Sequence, residues 1–279
     1  MKTTTKILIF VCIIGLSLLL YPSFSNYWNS KHATQAISNY AETIDSVSQD
    51  RYEKLWNDAM AYNERLAERE NPFVTPDELK AVYKSTLDIN GTGVMGYVEI
   101  PKLGVSLPLY HGTSAEVLQI AAGHLDWTSM PVGGANSHCV LSGHRGLPSA
   151  KLFTDLNKLR EGDTFTLVVL NEILTYEVDQ IRTVLPNESS ELVIQEGMDL
   201  CTLVTCTPYG VNSHRLLVRG HRIANVDAGA VVISEAVLVD QLIVAVFLAI
   251  PLMFILFMMV MLKKPKKKAA VMLYEEELS

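Results

Sequence analysis

Four cysteines in 279 residues are too few for a disulfide framework, and their placement sharpens the shortage. Cys12 lies in an apolar leader, which leaves Cys139, Cys201 and Cys206 for the rest of the chain. That is an odd number, so one thiol stays unpaired even if the other two join. The chain has no Cys-x-x-Cys or His-Glu-x-x-His spacing. A zinc site built from His124, His138, His144 and a cysteine therefore has no motif behind it, and no cofactor or metal is expected. An excess of basic residues is missing too: the net charge is -7, which gives no support to a nucleic-acid partner. Internal repeats and low-complexity linkers are also absent.

What the chain has in abundance is apolar residues, 49% of the total, concentrated at its two ends. Residues 242–262 carry no charge and no strongly polar group. As a helix they would reach about 31 Å, enough for a ~30 Å hydrocarbon layer, and Pro251 is tolerated in a membrane span. Lys263, Lys264, Lys266, Lys267 and Lys268 follow, which marks that flank as cytoplasmic and the preceding domain as extracellular. At the other end, Lys2 and Lys6 precede an apolar run over residues 7–20, the layout of a signal segment. No clear small-x-small cleavage site follows, so the segment serves equally as a leader or as a second anchor.

Between these ends the periodicity changes once. Ile37, Tyr40, Ile44 and Val47, then Tyr52, Leu55, Ala59, Tyr62 and Leu66, fall at helical spacing. They predict one long or two consecutive amphipathic helices. The Asn71-Pro72-Phe73 segment breaks the pattern and is a candidate mobile loop. Thr75-Pro76-Asp77-Glu78 then reads as a capping box, with Thr75 at the cap of a short helix. From Gly93 onward come short runs rich in β-branched residues, at 94–100, 105–110, 138–142, 164–170, 173–185, 200–206 and 216–223. Turn residues separate them, which predicts a mainly β fold, a closed barrel with short helical insertions. The expected organisation is a signal or anchor segment at 1–28 and a helical extension at 32–89. The catalytic barrel follows at 90–224, a transmembrane helix at 237–262 and a tail at 263–279.

Two strand ends carry the candidate chemistry. The run ending at Cys206 cannot continue through Thr207-Pro208-Tyr209-Gly210, so Cys206 sits where a strand becomes a loop. If the next strand returns as a hairpin, Arg215 comes back beside it and can donate to an oxyanion. His144, in Ser142-Gly143-His144-Arg145-Gly146, ends another β run and is the candidate acid and base. On spacing alone, an inert core thiol at Cys206 competes with this reading. Cys139 and Cys201 read as buried structural thiols.

The motifs themselves narrow the choice. Thr202-Leu203-Val204-Thr205-Cys206 resembles the Thr-Leu-x-Thr-Cys signature of sortases, and Arg215 falls where that family keeps its arginine. Ser142-Gly143-His144-Arg145-Gly146 resembles the family's histidine region, and Gly96 to Leu103 its first barrel strand. The likeness runs over residues 90–223 and implies a sortase-type barrel with Cys206, His144 and Arg215 as catalytic residues. The C-terminal span, the helical extension and the phrase Tyr110-His111-Gly112-Thr113 are similar to class C, pilin-polymerising sortases. That likeness implies a plasma-membrane enzyme acting on pilin or surface proteins that carry Leu-Pro-x-Thr-Gly signals, and needing no cofactor.

Class C sortases often carry an Asp-Pro-aromatic lid, where this chain has Asn71-Pro72-Phe73. The resemblance makes residues 70–75 a candidate lid, with Asn71 and Phe73 as its active positions and Thr205 as a further substrate-side candidate. An alternative is a housekeeping sortase that attaches surface proteins to a cell-wall precursor. A catalytically silent membrane-anchored barrel and a secreted cysteine peptidase are the more distant readings.

Overall fold

The apolar N-terminal run passes without interruption into the amphipathic stretch. In a computed structural model that describes residues 3–225, helix α1 spans Thr3–Asp45 with Pro22 inside it. The expected span at 237–262 and the tail at 263–279 lie outside the described residues. Helix α2 (Gln49–Ala67) follows after a three-residue break, so the extension consists of two consecutive helices, the first continuous with the leader. Ala33, Ile37, Tyr40 and Ile44 form the buried stripe of α1, and Ala59, Tyr62 and Leu66 that of α2. Tyr40 and Ile44 of the first stripe and all three residues of the second join the main hydrophobic core, with Val47, Tyr52 and Leu55 packed at its edge. The helical spacing in the sequence is therefore the packing face.

The capping expectation at Thr75 is not met. Helix α3 spans Asp77–Tyr83 with Pro76 at its N-cap and no side-chain cap bond. Thr75 is buried, and its hydroxyl donates to the Asp126 carbonyl at 3.2 Å. A buried hydroxyl needs a partner, and the one Thr75 finds is this carbonyl between β3 and β4, not the start of α3.

Eight strands close a barrel: β1 (Val94–Ile100), β2 (Val105–His111), β3 (Ala122–His124), β4 (Ser137–Ser142), β5 (Thr164–Val169), β6 (Glu172–Val184), β7 (Asp199–Thr207) and β8 (His214–Arg222). A one-turn helix α4 (Ala115–Leu118) lies between β2 and β3. Around the barrel the order is β1-β2-β3-β4-β7-β8-β6-β5, and β5 pairs with β1 to close it. Two neighbouring pairs, β2 with β3 and β4 with β7, run parallel; the rest are antiparallel. Inward residues such as Val98, Leu109, Cys139, Leu141, Leu167, Cys201 and Leu203 fill the centre together with Phe153, Phe165 and Tyr176. On the outer face, Val140, Val184, Leu192, Val204 and Leu217 form a second apolar cluster, edged by Leu125 and Trp127.

Tyr40 ties α1 to the barrel at a strained point. The β5–β6 turn places Leu170 at φ 50° and Asn171 at φ 65°, left-handed values that suit Asn better than Leu. The Tyr40 hydroxyl accepts from the Leu170 N–H at 3.0 Å and donates to the Met95 carbonyl at 2.9 Å. Burial pushes this phenol well above its ordinary pKa, which keeps it a neutral donor. Tyr40→Phe leaves two buried backbone groups unpaired. We expect a loss of about 1–3 kcal/mol in chemical denaturation, with little change in the slope of the transition.

Candidate active site

The site is assembled by strand register. In the β7–β8 hairpin, Cys206 and Arg215 are direct cross-strand partners. Residues opposite each other in an antiparallel pair have Cβ atoms about 4.5–5.5 Å apart, so the guanidinium stem begins beside the thiol. On the other side of β7, the parallel ladder to β4 ends with Ser142 opposite Val204. The Gly143 N–H donates to the Val204 carbonyl at 3.0 Å, which carries the alignment one residue further. The ladder itself ends at Ser142 and Val204; carried on by two residues, the same register would set His144 level with Cys206. All three side chains are half-buried, screened from bulk water yet open to a ligand.

Several contacts fix this arrangement. Arg215 Nη1 donates to the Asn212 carbonyl at 3.3 Å and to its neighbour's, His214, at 3.1 Å. Among the described residues Arg215 forms no ion pair with a carboxylate, so its remaining N–H groups are available for an oxyanion. Arg145, the residue after His144, adds a further tie. Its Nη1 donates to the Thr207 hydroxyl at 3.0 Å, linking the residue after the histidine to the residue after the cysteine. Its Nε is buried without a partner. Tyr209, exposed on the β7–β8 loop, lies over Gly146: a Cβ there would stand 2.8 Å from the tyrosine ring.

The remaining candidates take other places. Thr205 is only 2% exposed and faces the opposite way from Cys206; its hydroxyl donates to the Gly143 carbonyl at 2.7 Å. It holds the histidine segment instead of lining a substrate path. Phe73 is 47% exposed, with its ring edge-on to Trp127 at 5.8 Å between centroids. Trp127 in turn packs on the outer cluster that includes Val204 and Leu217. Those two residues share the outward face with Cys206 and Arg215, two positions along each strand. Asn71 Oδ1 accepts from the Phe73 N–H at 3.0 Å, a local turn with no bond to Arg215.

Each buried histidine of the zinc alternative has both ring nitrogens engaged by protein groups. His124 meets the Tyr83 hydroxyl and the Ser129 carbonyl, and His138 meets the Val193 carbonyl and the Thr202 hydroxyl. Burial pulls the His138 pKa down to about 4, so it stays neutral and structural at ordinary pH. Cys139 and Cys201 face each other across the β4–β7 ladder inside the core, and burial pushes the Cys201 thiol well above its usual range.

The sequence pattern of the sortase domain matches residues 98–223. Sortase C1 from Streptococcus agalactiae is 50% identical with a TM-score of 0.67, covering 69% of this chain and 100% of that one. A sortase C from Clostridium perfringens, solved with the C-terminal cell wall sorting motif, is 43% identical with a TM-score of 0.61, covering 69% and 100%. Sortase D from Bacillus subtilis is 30% identical over 131 residues, which make up 46% of this chain and 63% of that protein, under two thirds of its length.

These positions separate the three cysteines of the barrel. A charged methanethiosulfonate added to the folded protein is expected to modify Cys206 and to leave Cys139 and Cys201 untouched, read by peptide mapping. Cys206→Ala should abolish that modification. Cys201→Ala should leave it intact and lower stability by ~1 kcal/mol or somewhat more. Labelling of Cys201 in the native protein would contradict the assignment.

Proposed function

This chain belongs to the sortase family of cysteine transpeptidases, in its class C, and we propose that it joins pilin subunits at the outer face of a plasma membrane. The observation that carries the reading is the register: Cys206 opposite Arg215 on one side and level with the start of the histidine segment on the other. In the proposed reaction the Cys206 thiolate attacks the threonine carbonyl of a Leu-Pro-x-Thr-Gly signal. Arg215 donates to the oxyanion, the Thr–Gly C–N bond breaks, and His144 delivers a proton to the departing glycine amine. A lysine amine of the next pilin then attacks the thioester. His144 takes its proton, the thiolate leaves, and an isopeptide bond remains.

Two features support the substrate and the location. Val204 and Leu217 of the buried outer cluster stand two positions along each strand from Cys206 and Arg215; with Trp127, which packs on them, moved aside, this apolar floor suits the leucine and proline of such a signal. Helix α1 contains a stretch long and apolar enough, by length and composition, to cross a membrane. The lysine-flanked segment at 237–262 supplies the second anchor of the proposal and leaves the tail cytoplasmic.

Incubating the full-length enzyme with a sorting peptide should give an acyl adduct on Cys206, detected by mass. A pilin domain with an accessible lysine should then be consumed into a ladder. Absence of the adduct would sink the transpeptidase reading. An adduct resolved only by cell-wall glycine amines would favour the housekeeping alternative.

We also propose that residues 70–75 act as a lid, because Phe73 rests on Trp127 at the edge of this apolar floor. A contact worth ~1–2 kcal/mol shifts an open–closed balance by about ten-fold. Phe73→Ala should therefore raise the rate at which a bulky reagent labels Cys206 by about that factor. An unchanged labelling rate with a lower melting temperature would reduce Phe73 to packing.

A further inference from the structure

The segment after His144 is held from its far end. Residues 145–154 turn back on themselves through a bridge between Leu147 and Ala150. The Phe153 N–H then donates to the His144 carbonyl at 3.2 Å, and the Thr154 hydroxyl accepts from the Gly146 N–H at 3.0 Å. The buried Phe153 ring lies directly over Gly143, where a Cβ would stand 2.6 Å from it. The backbone position of His144 therefore depends on where residues 149–153 sit.

That part of the loop rests on α1. Asn26 Oδ1 accepts from the Lys151 N–H at 2.7 Å, and Asn29 Nδ2 donates to the Ser149 carbonyl at 2.8 Å. The partners fix which end of each amide does what, because a backbone N–H only donates and a carbonyl only accepts. The two asparagines are three residues apart on one helix face, in a stretch whose other side chains, Phe24, Tyr27 and Trp28, are exposed. Asparagine is a weak helix former, so propensity gives no reason for a pair of them there. The Lys151 side chain adds a bond to the Leu103 carbonyl and an ion pair with Asp155, so Lys151 joins helix, loop and barrel.

We infer that Asn26 and Asn29 are positioning residues for His144, and that the N-terminal helix through residue 29 stays on the mature protein as a brace for the catalytic loop. The inference rests on His144 being the acid and base of the proposed reaction. The brace, however, has a readout that needs no substrate. What separates positioning from mere packing is turnover: a positioning role lowers kcat while KM holds.

The experiment uses the full chain in detergent or vesicles. Asn26→Leu removes the acceptor at the same size, whereas Asn26→Asp keeps it. Asn29→Asp sets a carboxylate against the Ser149 carbonyl and removes the donor. Hydrogen exchange over residues 146–153 should speed up roughly five- to ten-fold in Asn26→Leu and Asn29→Asp, the loss of about one hydrogen bond. Asn26→Asp should stay at the parental rate, and the β7 and β8 amides should be unchanged in all three. With a sorting peptide, kcat should fall by a similar factor in the two disrupted variants while KM holds. Parental exchange in either disrupted variant overturns the brace, even if no peptide is turned over. A membrane-extracted protein whose mass begins after Asn29 overturns it as well.

Discussion

The parallel pairing of β4 with β7 is the constraint from which the site follows. Antiparallel neighbours end at opposite rims of a barrel, whereas parallel neighbours end at the same rim. Ser142 and Val204 close the ladder together, so the chain leaves both strands at one place. The histidine loop begins there, and Cys206 lies two residues further along β7. A tight return through residues 208–213 then starts β8 at the same rim, which brings in Arg215. His144, distant in sequence, and the hairpin pair Cys206 and Arg215 are thus brought to one rim without a mobile element. The interlocking bonds Thr205 to Gly143 and Arg145 to Thr207 hold this rim from inside and from the edge.

Most of the barrel was legible because its strands are short, β-branched and punctuated. The expected run at 94–100 is β1 itself, and those at 105–110, 138–142, 164–170, 173–185, 200–206 and 216–223 differ from their strands by one or two residues at the ends. β3 was not legible: Ala122-Gly123-His124 has no branched side chain and is a strand only because β2 and β4 flank it. A carbonyl contributed by Asp126, distant in sequence, redirects Thr75 away from the cap its local sequence suggests. The Cys206–Arg215 adjacency was readable as a hairpin. Alternation along β7 sets Thr205 on the face opposite Cys206, at odds with a substrate-side place, whereas nothing in the local sequence points to its partner Gly143.

The helical extension plays more than one part. Its buried stripe completes the main core beside the barrel, and Tyr40 satisfies two backbone groups at the β5–β6 turn and β1. Arg69 donates to the Trp127 carbonyl at 2.6 Å, and Asn63 both donates to and accepts from the Met130 backbone. The segment between β3 and β4 is therefore shaped by α2 and the turn that follows it. Trp127, on which Phe73 rests, is held in part by the same extension that carries Phe73.

The opposite facing of Cys201 and Cys206 on one strand decides how the enzyme meets oxidants. Cys139 and Cys201 are enclosed in the core, while Cys206 looks outward at the rim. Among the described barrel residues no second thiol is placed to resolve a sulfenic acid on Cys206 as an internal disulfide. Peroxide at this sulfur therefore leads either to capture by a small external thiol or onward to the irreversible sulfinic acid. In the proposed reaction, time spent as an acyl thioester, with the sulfur's lone reactive valence occupied, is also time in which Cys206 is sheltered from that loss.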